Sequence, residues 1–126
     1  MADRKVVVLA LHDELESVYP PLNIAVGAAS SGAEVILAFS RDGVNILDRH
    51  YLPKPSKGLE HLPKALKSFH APTINELLGI AAESGVQFYI VDADHHEKLD
   101  LMYPAEQVPI KWVLNESSSA DLFVHF

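Results

Sequence analysis

Three features of the sequence predict a three-layer α/β/α fold built on a mostly parallel, five-stranded sheet. Short continuous apolar runs, such as Lys5–Leu11 and Glu34–Phe39, are typical of strands that are covered on both faces. Segments with helical spacing of apolar residues separate these runs. Gly32 and Gly85 each precede a strand, at the kind of position where a helix commonly ends. Strands that alternate with helices indicate a parallel sheet with right-handed crossovers.

Along the first half of the chain, two predicted strands flank one helix. The strand Lys5–Leu11 is followed by a polar turn. The helix is predicted to begin at Pro20 or Pro21, because proline is tolerated in the first turn of a helix, and to end before Gly32. Glu34–Phe39 forms the second strand. Beyond it, residues 40–43 are predicted to form a turn and residues 44–48 one helical turn. Residues 51–58 are predicted to form an irregular loop, and residues 59–69 a short basic helix.

The clearest local signal lies in the second half of the chain. Thr73-Ile74-Asn75-Glu76 has the pattern of a capping box, in which the threonine and glutamate side chains each accept a backbone N–H. The helix that begins there is predicted to end at Gly85, and Val86–Val91 is the third strand. A short helix is predicted at Leu99–Met102 and a fourth strand at Ile110–Leu114. Asn115–Ala120 is predicted to form a polar turn or a single helical turn, and Leu122–Phe126 a final edge strand. These elements together predict a flavodoxin-like arrangement.

Length and composition restrict the possible functions. The chain has 126 residues, enough for one domain spanning residues 1–126. Its net charge of −7 argues against nucleic-acid binding, and no apolar run approaches the ~20 residues that a membrane span needs. The absence of cysteine excludes disulfides, thiolate catalysis and cysteine-ligated zinc. With no signal-peptide pattern at the start, the composition predicts a cytoplasmic protein.

The charge is unevenly distributed along the chain. The segment Arg49–His70 contains five basic residues and one acid and therefore carries +4, whereas the remainder carries −11. One basic segment on an acidic body suits an anionic ligand or an acidic partner. The favoured interpretation is a solvated, lysine-bearing helix and loop.

Two stretches of the chain carry a family pattern. The first runs from Ala25 to Val35 and continues in Asp42-Gly43-Val44, and the second comprises residues 73–78 and 83–89. In order and spacing they resemble the DsrE/DsrF/DsrH-like family, whose members take part in sulfur relay and sulfur oxidation. The resemblance covers residues 5–114. It implies a DsrE-like fold, a homo-oligomer, and a site at the end of the third strand.

The same resemblance implies that the family's reactive residue is missing. Active members look to carry a sulfur-accepting cysteine at the end of the strand that corresponds to Val86–Val91, and here that position falls on Val91 or Asp92. Neither side chain can hold a persulfide, because sulfur transfer needs a nucleophilic thiolate. We therefore expect a non-catalytic protein without a cofactor that binds a partner protein or a small anionic ligand in sulfur-related metabolism.

Ionisable residues near the ends of the predicted strands are the candidate ligand-binding residues. The carboxyl ends of parallel strands meet at one edge of a sheet, and helices that begin there favour anions. If the acidic residues dominate instead, a cation is the expected ligand. We predict a cleft at this edge that is bordered by His12, Asp13, Arg41, Gly43, Asp92, Asp94 and His95.

An alternative function is a metal-binding protein or a small-molecule enzyme that uses the same histidine- and aspartate-rich edge. Carboxylates and imidazoles bind divalent metals and also serve as general acids and bases. The candidate metal ligands are His12, Asp92 and His96, provided that the first and third strands lie side by side. No established zinc motif is present, so the favoured interpretation is a hydrogen-bonded polar loop without metal.

Overall fold

The computed structural model describes residues 4–91 and 99–126, which form a five-stranded sheet with helices on both faces. The strands are β1 (Lys5–Ala10), β2 (Glu34–Phe39), β3 (Gln87–Val91), β4 (Glu106–Val108) and β5 (Leu122–His125). The helices are α1 (Leu15–Ser30), α2 (Leu62–Ser68), α3 (Ile74–Glu83) and α4 (Ile110–Ser118), and a 3₁₀-helix covers Arg41–Leu47. Every strand pairing is parallel, in the spatial order β4-β3-β2-β1-β5. The predicted α/β class is therefore confirmed.

One side of the sheet, here called the first face, packs against α1 and α3. Alternate strand residues supply its core, and Phe39 and Phe88 meet there edge to face at 6.1 Å between ring centroids. From α1, the small Ala25 is fully buried, which allows this helix to lie close to the strands. Both helices connect neighbouring parallel strands, so they lie on the same side of the sheet, as right-handed crossovers require.

The opposite side, the second face, packs against α4. Val7, Ile36 and Val91 point to this side and surround Val113 of the helix. Trp112 also packs there, 4.4 Å from the ring of Tyr89. Because α4 connects the two edge strands in the direction opposite to α1 and α3, a right-handed crossover places it on this face.

The first helix begins five residues earlier than the prolines predict. It begins at Leu15, so Pro20 and Pro21 lie inside it rather than in its first turn. Proline lacks an N–H, so two backbone hydrogen bonds of a regular helix cannot form there. Burial of Leu15 and Val18 against the first face stabilises the helix and outweighs this loss.

The predicted strand at Ile110–Leu114 is wrong, because these residues form the first half of α4. The fourth strand is instead Glu106–Val108, a short segment with two exposed residues, and it pairs with Tyr89–Val91. Of the two alternatives predicted for Asn115–Ala120, a polar turn or a single helical turn, the structure has the helical one as far as Ser118, where α4 ends.

The helix predicted at Leu99–Met102 is also wrong. Here the backbone pairs with the chain after the 3₁₀-helix: Leu101 forms an antiparallel bridge with Asp48, and the amide of Arg49 donates to the carbonyl of Asp100 at 2.7 Å. These long-range hydrogen bonds hold the segment extended, so they replace the local ones that a helix would make.

Other predicted elements are confirmed. The amide of Glu76 donates to the Thr73 hydroxyl at 3.1 Å, and the amide of Thr73 donates to the Glu76 carboxylate at 3.4 Å, which completes the capping box. β2 has its predicted bounds, and β5 is an edge strand. The described helices include none with the length and hydrophobicity that crossing a membrane would require.

Candidate functional site

The turns that follow β1 and β2 meet at the carboxyl edge of the sheet because Gly43 lies against the end of β1. A Cβ atom at Gly43 would stand 2.2 Å from the carbonyl oxygen of Ala10, a distance that no side chain tolerates. The amide of Ser40 donates to that same oxygen at 2.9 Å. Glycine is thus required for the 3₁₀-helix to approach β1 this closely.

This close approach brings polar side chains from both turns into contact. Asn45 donates from Nδ2 to Oδ2 of Asp13 at 3.0 Å, although the two residues are 32 positions apart. The hydroxyl of Tyr51 donates to the backbone carbonyl of Asp13. Asp13 therefore holds both the 3₁₀-helix and the loop behind it at the end of β1.

The hydroxyl of Tyr51 is fixed as a hydrogen-bond donor. Burial raises the pKa of Tyr51 well above its usual value, and the nearby carboxylates of Asp13, Glu14 and Glu16 raise it further. The phenol stays protonated at neutral pH. It can orient a neighbouring group, but it cannot supply a phenolate base.

A cleft of about 450 Å³ opens beside this network, and it is here called the carboxyl-edge cleft. One wall follows the start of α1, where the amide of Leu15 donates to the carbonyl of Lys54 at 2.8 Å. The lining residues are Asp13, Glu14, Asn45, Asp48, His50, Tyr51, Leu52, Lys54 and Pro55.

The cleft is acidic at neutral pH. Three carboxylates line it, from Asp13, Glu14 and Asp48, against the single ammonium of Lys54. His50 directs Nε2 away to Asp100, at 3.2 Å from the carboxylate oxygen. The described lining therefore favours a positively charged or hydrogen-bond-donating ligand over an anion.

The predicted site residues have different positions in the structure. Asp13 lines the cleft. Gly43 does not line it but allows the 3₁₀-helix to approach β1. His12 and Arg41 are exposed and are not lining residues. Arg41 has a left-handed backbone conformation with φ of 55°. The remaining candidates lie outside the described residues: Asp92, Asp94, His95 and His96. The ligand-binding role of this set stays a prediction.

The proposed metal site depended on β1 and β3 being neighbours, but β2 lies between them. Within residues 4–91 and 99–126, no group of three histidine, aspartate or glutamate side chains is placed to hold a metal ion. Of the three candidate ligands, only the exposed His12 belongs to that part of the chain.

The predicted cleft residues did not include Asn45, Tyr51 and Lys54. Asn45 does carry a signal, since it comes two residues after the glycine that fixes the turn. Tyr51 and Lys54 flank Pro53 in a loop that no local pattern places against β1. Their positions depend on the tertiary contacts with Asp13 and Leu15.

Comparison with known proteins identifies the fold. No protein-family model matches the sequence, and no match is found among curated proteins. Among solved structures, YchN of Escherichia coli, which has the DsrE-like fold, superposes with a TM-score of 0.71 and 20% sequence identity. The match covers 98% of this chain and 99% of YchN. The two proteins therefore share this fold over almost their whole lengths.

Proposed function

We propose that this protein is a thiol-free member of the DsrE/DsrF/DsrH-like family that binds a ligand or partner without transferring sulfur. The observation that carries the proposal is the absence of cysteine from a chain with this fold. The sequence resemblance supports a role in sulfur-related metabolism in the cytoplasm, as a homo-oligomer.

The chemistry of sulfur transfer supports a binding role. A sulfane sulfur atom is passed by attack of a thiolate on a persulfide, and the receiving protein must supply that thiolate. This chain contains sulfur only in two methionines, whose thioethers cannot form a persulfide. Any contribution to sulfur relay must therefore be made by non-covalent binding.

The carboxyl-edge cleft is the proposed ligand site, and a small cationic ligand fits it best. Asn45 bonds to Oδ2 of Asp13, and no other described residue donates to Oδ1, so this oxygen can accept a hydrogen bond from a ligand ammonium group. Glu14 and Asp48, which also line the cleft, add negative charge. The small apolar contribution of Leu52 and Pro55 suits a short alkyl chain between charged groups.

The absence of sulfur transfer is tested with glutathione persulfide as donor and cyanide as acceptor. We expect thiocyanate formation with the purified protein to equal the protein-free rate, and turnover above that rate would contradict the proposal.

The family site is tested by adding a thiol. Asp92→Cys places a cysteine where the family resemblance expects it, and Ser84→Cys, at the opposite end of the β3 segment, is the matched control. Mass spectrometry should show faster uptake of one sulfur atom by Asp92→Cys. Equal rates for the two variants would remove the support for a family-type site.

The ligand proposal is tested by amide NMR titration with two small probes of opposite charge, 1,4-diaminobutane and malonate. The diamine should shift the amides of Asp13, Asn45 and Tyr51, whereas malonate should not. Asp13→Asn should weaken diamine binding about fivefold, because one charge–charge contact is lost. Asp42→Asn, in the neighbouring turn but outside the cleft, is the control. Preferential binding of malonate would reverse the assigned ligand charge.

A further inference from the structure

A second concave surface lies between the helices on the outer side of the first face. It has a volume of about 530 Å³ and is here called the α2 groove. Its walls come from α1, from α2 with the residues after it, and from the start of α3. The lining includes Leu15, Tyr19, Pro53, Leu66, Lys67, His70 and Ile74.

The floor of the α2 groove is apolar, and its residues are packed into the core. Leu15 and Ile74 are buried and belong to the core of the first face. Tyr19 is half-buried, and its hydroxyl donates to the carbonyl of Pro72 at 3.1 Å, so the face of its ring remains for contact. Such a floor accepts apolar side chains without rearrangement.

Large apolar side chains are exposed on the α2 side of the groove. No residue of α2 is fully buried. Phe69, directly after the helix, is 84% exposed, and Leu52, directly before the lining residue Pro53, is 76% exposed. Exposed apolar residues beside an apolar groove are typical of a protein-binding surface.

The segment that contains α2 is rich in lysine. From Arg49 to His70 it carries +4 on a chain with a net charge of −7, although Arg49 is paired with Asp100 and Lys54 lines the carboxyl-edge cleft. Lys57, Lys64 and Lys67 are exposed and form no ion pair within the described part of the chain. Glu76, the acid that lines the groove, is engaged in the capping box of α3. The lining itself holds one cation, Lys67, and one anion, Glu76, so the positive charge offered to a partner comes from Lys64 and Lys67 along α2.

We propose that the α2 groove binds an acidic amphipathic segment of a partner protein. The apolar side chains of that segment occupy the floor over Leu15 and Ile74, and its carboxylates face Lys64 and Lys67. A concave apolar floor with a basic rim matches such a segment in both shape and charge. A bilayer surface fits less well, because it is flat and because anionic lipids would repel the acidic remainder of the chain.

The test uses two fluorescent peptides of equal length with the same helical pattern of leucines. The polar positions are glutamate in one peptide and lysine in the other. Fluorescence anisotropy with the full chain should show binding of the glutamate peptide, weakening as salt is added, and no binding of the lysine peptide. Failure of the glutamate peptide to bind, or equal binding of both, would overturn the proposal.

Variants locate the binding surface. The double change Lys64→Glu with Lys67→Glu should weaken binding of the glutamate peptide about tenfold. Arg4→Glu with Lys111→Glu gives the same change in net charge away from the groove and should leave the affinity unchanged. Phe69→Ser, which removes an exposed side chain and leaves the core intact, should weaken binding without lowering the thermal midpoint. Equal weakening by both double variants would show that only net charge matters and would overturn the groove assignment.

Two further measurements test whether the α2 groove instead binds a lipid surface or a second copy of the chain. Co-sedimentation with vesicles of phosphatidylcholine and phosphatidylserine should show no binding, and binding to vesicles but not to the peptide would assign the surface to lipid. Sedimentation velocity should show the same assembly for the unmodified chain and for Lys64→Glu with Lys67→Glu. Dissociation by that double change would instead assign the groove to a second copy of the chain.

Discussion

The first face of the sheet lies beneath two helices, α1 and α3, whereas α4 is the described helix on the second face. The same strands supply both faces through alternate residues, so the difference lies in what covers them. On the first face Phe39 is fully buried. Phe123 of β5, in register with Val7 on the second face, remains 37% exposed.

This difference separates two roles. The first face carries most of the burial that stabilises the fold, because its apolar residues are enclosed by helices. On the side of the second face, large apolar side chains remain exposed to solvent. They include Phe123 on the edge strand and Leu114 of α4, which is 55% exposed. We expect substitutions on the first face to affect folding and those on the second face to affect assembly.

The largest expected effect is on unfolding. Phe39→Ala should lower the free energy of unfolding by about 3–5 kcal/mol, because it leaves a cavity in an enclosed core. Phe123→Ala should lower it by only about 1 kcal/mol, since part of that side chain already contacts water. Urea denaturation of both variants measures the contrast. Equal losses would show that the second face is as fully enclosed as the first.

The next effect is on self-association. We expect the 13.9 kDa chain to form a homo-oligomer through the second face and the edge strand β5. Phe123→Glu should weaken association by about 2 kcal/mol, the contribution of one buried aromatic side chain. Sedimentation equilibrium provides the measurement, and Ile80→Glu, at a 42% exposed position on α3, is the control. A monomer at working concentrations would contradict the expectation.

A smaller effect is expected at the capping box of α3, one of the two first-face helices. Thr73→Ala should lower the free energy of unfolding by about 1 kcal/mol, because the amide of Glu76 loses its hydrogen-bond acceptor. Ser117→Ala on α4 is the matched control, since its hydroxyl donates to the carbonyl of Leu114 and caps no free amide. Its effect should stay below about 0.5 kcal/mol. A control loss as large as that of Thr73→Ala would remove the special role of the cap.

The smallest effect is a pH dependence on the outer side of the first face. Hydrogen bonds from the hydroxyl and amide of Ser56 hold the pKa of Glu16 below its usual value of 4.5. A lowered folded pKa gives stability that is present above pH 4.5 and lost as the pH falls through the folded value. Thermal melts of the unmodified chain and of Glu16→Gln should therefore differ at neutral pH and converge in acid. Glu83→Gln, on the exposed end of α3, removes one carboxylate without breaking the hydrogen bonds to Ser56, and its melts should match those of the unmodified chain.

The sequence predicted the first face well because its elements carry local signals. The capping box at Thr73 and Glu76 fixes the start of α3, and the buried-type run at Glu34–Phe39 is too apolar for an exposed loop. These signals act over a few residues, so they can be recognised without knowledge of the tertiary structure.

The second face was predicted poorly for the opposite reason. Ile110–Leu114 contains four apolar residues in five, a pattern that suits a buried strand as well as a helix. The helix is favoured because it places Val113 and Trp112 on the sheet together. The sequence of β4 has no apolar pattern that predicts a strand. The hydrogen bonds to β3 hold these residues in the extended conformation.

The carboxyl-edge cleft is intermediate between these cases. The parallel sheet made it possible to predict that the turns after β1 and β2 would meet, and Asp13 does lie there. The contact between Asn45 and Asp13 joins residues 32 positions apart, so no local pattern could specify it. Gly43 was named as a ligand-site candidate, yet its observed role is to make that contact sterically possible.

The pairing of β1 with β5 also constrains the order in which the chain can fold. Lys5 and Asp121, which hydrogen-bond at one end of this pair, are 116 positions apart, so closing the loop is entropically costly. Before β5 docks, the side of β1 that does not pair with β2 is an open strand edge, which promotes association of partly folded chains. The amides of Leu11 and Phe126 hydrogen-bond across this pair, and in pulse-labelled hydrogen exchange they should gain protection last. Early protection of these amides would show instead that the two distant strands form the folding nucleus.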